Sequence, residues 1–430
     1  MKALRALGSL GSLWLIVRRS LRQHALSTAI TVLSSGLGAG LVMAIFSLQE
    51  QTQRAFEESP VGFRAIYGPK GSKLQLVLNS VFHLESSPGN IPWSRYVALK
   101  EDRRRVEWAL PYLLGDNYYG HRILGTTVDI FDVDFLGPGK KLALAQGAAF
   151  DATRADAVIG SAVAERRELR VGSKFQPYHG LAFDPAAVHA IDYVVTGILA
   201  PTGSPMDQVI LIPIEGSFRM DGHALVGTDE KVYQPKSGEL IPDKYKEVSA
   251  VLVQPRGHKA AKELDFELNR QDSEKLGTFV YPIDTIVAEF FRKVAWIADV
   301  LKLVAFLVGI VAAGTILASL YNTMNERRRE FAILRALGAR RSTVFGAIVL
   351  ESSTIAALGA LFGFAVYLAI FGAAAWIVEA QTGVLLEILH AHPIFVLAPV
   401  GLIALGALSG VVPALRAYRT DVASHLVPSS

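Results

Sequence analysis

The stretch Asn325-Glu-Arg-Arg-Arg-Glu-Phe-Ala-Ile-Leu-Arg-Ala-Leu-Gly-Ala-Arg-Arg341 stands between two long apolar runs. It is dense, mostly basic and amphipathic. If the flanking runs cross a membrane, this segment marks a turn and the face on which the turn is made. Four stretches are free of Asp, Glu, Lys and Arg for at least the roughly 20 residues that a helix needs to cross about 30 Å of hydrocarbon. They are Gln23 to Gln49, Leu303 to Asn325, Ser352 to Val378 and Ala391 to Leu415. The first is too long for the apolar part of a secretory signal, and no small-residue cleavage site follows it.

The composition agrees with a mixed architecture. Of 430 residues, 51% are apolar and 19% charged, and the mean hydropathy is +0.33. That is more apolar than an average soluble protein and too charged for a chain lying wholly in the membrane. Cysteine is absent, so disulfides, thiolate metal sites and thiol nucleophiles are not available.

Basic residues near the span ends set the orientation, because cytoplasmic loops collect Lys and Arg while acids count for little. Lys2, Arg5, Arg18, Arg19 and Arg22 precede the first span. Arg327, Arg328, Arg329, Arg335, Arg340 and Arg341 lie between the second and third, and Arg416 and Arg419 follow the fourth. The loop from Glu379 to His392 has neither Lys nor Arg. Both termini are therefore expected in the cytoplasm. The net charge of +4 is accounted for by these arginines, so a nucleic-acid partner is not called for.

The expected partition is a cytoplasmic interfacial helix over 1–22, a first transmembrane helix over 23–49 and an outer domain over 50–292. A second transmembrane helix covers 293–325, a basic cytoplasmic segment 326–343 and a third transmembrane helix 344–378. A short outer loop over 379–392, a fourth transmembrane helix over 393–415 and a cytoplasmic tail over 416–430 complete the chain. Leu4, Leu7, Leu10, Leu13, Trp14 and Val17 recur at helical spacing in the first segment, as on a helix lying on lipid.

The outer segment reads as α+β. Strands are expected at Val106 to Leu110, Ile123 to Asp129, Ala157 to Ile159, Tyr193 to Leu199, Val209 to Ile214 and Val248 to Val253. Helices are expected at Ser161 to Leu169 and His258 to Asn269. Loops are expected at 137–139, 200–205 and 235–242. The fold class is thus an α-helical membrane protein with four transmembrane helices and a large α+β domain inserted between the first and second.

Small residues recur four apart in the spans: Gly36 with Gly40, Ala356 with Ala360, Gly359 with Gly363, and Gly406 with Gly410. Each pair shares a helix face, where backbones can approach closely. Packing within one four-helix bundle and a dimer seam are both open readings.

Chemistry is sparse. Gly68-Pro-Lys-Gly-Ser-Lys73 and Gly137-Pro-Gly-Lys-Lys141 lack the spacing of a phosphate-cradling loop. There is no nucleophile elbow and no His-Glu-x-x-His pair, so no catalytic residue is assigned. Six outer histidines, between His83 and His258, are dispersed in sequence without ligand spacing and are expected to be surface residues, with no metal site. His390 and His392, two apart, leave a weak metal contact open. No span carries an ionisable group near its middle, which argues against a proton-coupled carrier acting alone.

From Glu326 a helix sets Phe331, Leu334, Arg335 and Gly338 near one side, with Arg328, Arg329 and Ala332 flanking. Anionic headgroups alone can hold such a basic turn. Glu330 among the arginines, and the small residues Ala332, Ala336, Gly338 and Ala339, favour close docking in a protein groove.

Asn325 to Ala339, followed by a span with Glu351 near its start, resembles the FtsX-like signature of MacB-type ABC transporter permeases. Ser409-Gly-Val-Val-Pro-Ala-Leu-Arg-Ala-Tyr-Arg-Thr-Asp-Val422 is similar to that family's closing motif. Tyr119 to Thr127, Ala157 to Ala164 and Thr196 to Gly203 resemble its periplasmic core domain. The resemblance implies that 50–292 is that periplasmic domain and 326–343 a coupling helix docking on a cytoplasmic ABC ATPase dimer. Arg329, Glu330, Ala332, Leu334, Arg335 and Gly338 would form the ATPase-coupling set. It also implies a second permease copy or a paralogue, contact with membrane lipid, and a periplasmic or lipoprotein partner. ATP and Mg²⁺ would be bound by the ATPase, with no cofactor and no catalysis in this chain. MacB carries its ATPase fused at its N-terminus, whereas this chain begins with the interfacial helix, so a separate ATPase is expected, as in LolC–LolE-like permeases. The expected location is the bacterial inner membrane and the expected cargo an envelope lipoprotein, lipid or peptide. Two alternatives stand beside this: an FtsX-like regulator of a periplasmic cell-wall hydrolase, and a component of metal uptake.

Overall fold

The apolar runs form helices longer than the charge-free stretches that betray them. In the computed structural model, helices span Lys2–Gln23, Ala25–Glu57, Ile283–Glu326, Arg341–Thr382 and Ile394–Arg419. The last four are each long and apolar enough to cross a membrane. The structure describes residues 2–57, 62–180, 184–220, 225–226, 232–234, 239–271, 276–326, 333, 335, 339–382, 386–388 and 391–419. The helix carrying the second apolar run begins at Ile283 because its opening turns, although they hold Asp284, Glu289, Arg292 and Lys293, also place Ile283 and Val287 in an apolar core.

The chain divides into two units. One contains Met1–Thr52, Val294–Trp376 and Glu387–Ser430, and the other Gln53–Lys293 with Ile377–Leu386. In the membrane unit, Ala39, Ile316, Ile355, Ala356, Ala360 and Leu402 pack together, with Leu21, Val32 and Ile403 at their margin. Pro399 and Pro413 sit inside the last helix. Membrane helices tolerate this where neighbours or hydroxyls take up the freed carbonyls.

The second unit is built on an eleven-stranded sheet. Its axis is the strand Val106–Tyr118, whose alternation of apolar side chains buries both faces. The first half of that strand pairs antiparallel with Ala250–Pro255, which pairs with Ala65–Pro69, which in turn pairs with Gly277–Val280. The second half pairs with His121–Thr126. Beyond it come Ile210–Pro213 (parallel), Asp156–Ile159 (antiparallel), Tyr193–Leu199 (parallel) and the edge strand Leu144–Gly147 (antiparallel). The helix Ser161–Arg167 ends short of its expected limit, whereas His258–Phe266 runs on as a π-helix over Glu267–Gln271 and covers its expected span.

The strand expected at Val106 to Leu110 runs on to Tyr118, and the one expected at Val248 to Val253 is split at Ser249 into Glu247–Val248, paired with Ile91–Pro92, and Ala250–Pro255. Two further strand limits differ from expectation for visible reasons. The strand at Ile123 stops at Thr126 because the chain winds into a 3₁₀ turn at Val128–Phe131. The strand at Val209 is Ile210–Pro213, since Pro213 offers no N–H to continue a ladder and starts the short helix Ile214–Ser217. The loop expected at 200–205 is held by Asp207, whose carboxylate accepts from the Thr202 N–H at 2.9 Å, the Thr202 hydroxyl at 2.9 Å and the Gly203 N–H at 2.8 Å. Among the described residues, three apolar clusters fill the unit. One surrounds Leu110, Leu124 and Leu252, a second Tyr67, Tyr96 and Phe279, and a third Ile123, Val163 and Tyr193.

Candidate functional site

The basic turn is the first place to look. Arg335 is helical and half-buried. Arg329, Glu330, Ala332, Leu334 and Gly338 lie outside the described residues. Past the turn, the third long helix opens with Val344 and Ile348 packed on Ala414 of the fourth. Glu351, two turns further, is buried, and the buried Ser20 hydroxyl of the first helix donates to its carboxylate. A carboxylate shielded from water needs such a donor.

The small residues form two seams within the membrane unit. A Cβ built on Gly36 would stand 2.7 Å from the Gly359 carbonyl, and one on Gly40 2.6 Å from the Gly363 carbonyl. From the facing helix, a Cβ on Gly359 would meet the Ser35 hydroxyl at 2.2 Å, and one on Gly363 would meet the Ala39 Cβ at 3.0 Å. The second seam joins the third and fourth long helices. A Cβ on Gly406 would lie 2.5 Å from the Ala356 Cβ, and one on Gly410 2.2 Å from the Ser352 hydroxyl. All six glycines thus face another helix of the same chain, five with a neighbour nearer than 3.0 Å to an added Cβ and Gly363 with one at 3.0 Å.

Toward Glu50 the membrane unit is closed by polar clasps. His392 Nε2 lies 2.6 Å from the Glu50 carboxylate. Gln51 donates to the Glu387 carbonyl at 2.6 Å and accepts from the Glu387 N–H at 2.8 Å. The Tyr367 hydroxyl donates to the Ile388 carbonyl at 2.7 Å. His392 is therefore engaged with a carboxylate, and His390 lies outside the described residues.

In the α+β domain His179 and His258 are exposed, as their spacing suggests, and His223 lies outside the described residues. His121 and His189 are buried, and the His83 ring nitrogens are shielded from solvent. Burial, with the Arg122 charge adding to it, lowers the His83 pKa to about 3. Burial likewise lowers that of His121 to about 4, against the pull of a hydrogen bond from its Nδ1 to the Gln208 carbonyl. Arg122 donates to the carbonyls of His83 and Glu85. Two histidines, His179 and His189, meet at Asp116. This convergence was invisible in the spacing. The one local signal was Gly115-Asp116-Asn117 interrupting an apolar strand, which marks a bulge.

Comparison with known proteins fits both units. Residues 28–270 match the MacB-like periplasmic core domain, and residues 302–422 the FtsX-like permease C-terminal domain. The macrolide export ATP-binding/permease protein MacB of Azoarcus sp. (strain BH72) is 28% identical over 247 residues. The match covers 54% of this chain and 33% of that protein, so this chain spans about a third of the curated relative it matches. Four membrane-length helices with an α+β domain between the first and second, and both family matches in their places along the chain, make this protein a member of the MacB-like, FtsX-type family of ABC transporter permeases.

Proposed function

We propose that this chain is the permease subunit of an ABC transporter, driven by a separate cytoplasmic ATPase dimer and paired with a second permease copy or a paralogue. Both termini lie in the cytoplasm, residues 50–292 lie in the periplasm, and the cargo is an envelope lipoprotein, lipid or peptide. The observation that carries the reading is the helix Ile283–Glu326. It supplies Ile283 and Val287 to the core of the α+β domain, and Ala305, Ala312 and Ile316 to the buried set of the membrane unit. Its 44 residues amount to about 66 Å at a rise of about 1.5 Å per residue, roughly twice the hydrocarbon thickness. An uninterrupted helix shared by two units is suited to passing a displacement from one to the other. Its far end leads into the basic turn at 327–341.

In this mechanism ATP and Mg²⁺ are held by the partner, whose closure moves the turn bearing Arg329, Glu330, Ala332, Leu334, Arg335 and Gly338. Arg335 and Glu330 select the groove by charge, while the small residues permit close approach. The glycine seams keep the helices in register as they tilt, and the α+β domain does work on cargo already outside the membrane. The test is stimulation of the copurified ATPase. Arg335→Glu is expected to abolish stimulation while leaving the thermal unfolding of the permease unchanged. Full stimulation and undiminished copurification by Arg335→Glu would sink the assignment of the turn.

A further inference from the structure

Two imidazoles and a carboxylate meet where the central strand bulges. Between Leu114 and Asn117 that strand carries one more residue than His121–Thr126 opposite it. The displaced stretch pairs with Tyr178–His179 instead, so that Asp116 stands directly across from His179. The Tyr178–Val188 bridge and a 2.9 Å bond from the His189 N–H to the Pro177 carbonyl fold the following chain back. His189 thereby reaches the same carboxylate.

The distances fit a metal ion. Asp116 Oδ1 is 3.1 Å from His179 Nδ1 and 3.1 Å from His189 Nε2. The three ligand atoms all lie within 4.8 Å of one another. Bonds of about 2.0–2.1 Å in a tetrahedral zinc site place ligand atoms about 3.3 Å apart, so these donors need shift only slightly to close on an ion. The Asp116 and His189 side chains are 4% and 6% exposed, whereas that of His179 is 62% exposed. The cluster is anchored in the domain and open on one side. Four protein ligands close a structural site, while three leave a position for water or an exchanging ligand.

The donor chemistry is also suitable. Two imidazole nitrogens and a carboxylate oxygen are a ligand set that divalent ions of zinc's class take up. The same contacts without a metal would be a hydrogen-bond relay in which both rings donate to Asp116. Titration distinguishes the two uses.

We propose that Asp116, His179 and His189 form a binding site for a divalent transition-metal ion of zinc's class, with water in the fourth position and His179 as the ligand nearest solvent. The site does not depend on the transport reading. Full-length protein in detergent, stripped by a chelator, would be titrated with zinc alone against a chromophoric competitor. One zinc per chain is expected. Loss of an outer partner of a metal ligand costs about 10–100-fold in affinity, so loss of a ligand itself in His179→Ala should weaken binding by about 100-fold or more. Because His179 is exposed, that variant should unfold at the wild-type temperature. His258→Ala, outside the cluster, should bind as wild type. Cobalt taken up in place of zinc should show visible absorption that is lost in Asp116→Asn. Absence of saturable zinc binding to the wild type, or wild-type affinity in His179→Ala, would overturn the proposal.

Discussion

The two units solve the problem of cohesion in opposite ways. In the α+β domain, large side chains such as Tyr67, Leu110, Tyr112 and Phe279 are wholly buried. In the membrane unit, Phe306 and Leu361 are 65% and 69% exposed, while Ala356, Ala360 and the glycines form the contacts. Water drives apolar side chains inward in the first. Hydrocarbon gives no such drive, so the second relies on close backbone approach and on polar clasps. The difference teaches that substitutions of the same chemistry should have different costs in the two units.

The largest expected effect is in the water-facing core. Leu252→Ala empties a fully buried site and should cost about 2–5 kcal/mol, read as lowered stability of the purified chain in denaturant. A loss well below that range would mean that the core is less sealed than the burial implies.

A second effect of about 2 kcal/mol belongs to pH. The folded-state pKa of His83, about 3, lies below the ordinary 6.5, so the unfolded chain takes up a proton first as pH falls. Stability is full above about 6.5 and declines below it toward the folded value. At pH 5 the His83 contribution alone amounts to about 2 kcal/mol lost, with His121 acting in the same direction. Thermal unfolding at pH 7.5 and pH 5.0 checks this, and His83→Asn should flatten the profile. Equal stability at both pH values would contradict a buried, neutral His83.

In the membrane unit the sign of one substitution should reverse with position. Gly40→Ala drives a Cβ onto a facing backbone and should destabilise by about 1–3 kcal/mol. Gly309→Ala meets nothing within 4 Å and should be neutral or stabilising by up to about 1 kcal/mol, the helix preference of Ala over Gly. Equal melting shifts for both would break the seam account. Smallest of all, His392→Ala should cost less than about 1 kcal/mol, since its pairing with Glu50 lies at a partly exposed edge.

The four long helices were legible because hydrocarbon demands an unbroken apolar run. Their true limits were not, since Ile283–Glu326 continues far past the run by burying Ile283 and Val287 in a different core. The strands at Ala157 and Tyr193 were readable from β-branched runs, whereas their partners were set by crossovers of long sequence separation, and the run from Val248 hid a break at Ser249 between two sheets. The seam glycines announced themselves by four-residue spacing, but which helix each meets required the fold. The His–Asp–His cluster was hidden for a related reason. Its side chains are brought together by a bulge and a strand switch, and neither leaves a fixed spacing in the chain. The basic turn was read from its amphipathic pattern, and of its proposed contact residues Arg335 alone lies among the described residues.

Passage of ATP-driven motion from the basic turn into the spans can be followed with site-directed labels, because the chain contains no cysteine. Spin labels at Trp296→Cys and Val396→Cys, in the complete complex with its ATPase, would report their separation with and without a non-hydrolysable ATP analogue and Mg²⁺. The predicted result is a nucleotide-dependent shift in the distance distribution that disappears in Arg335→Glu. Identical distributions with and without nucleotide, or a shift that persists in Arg335→Glu, would contradict the account.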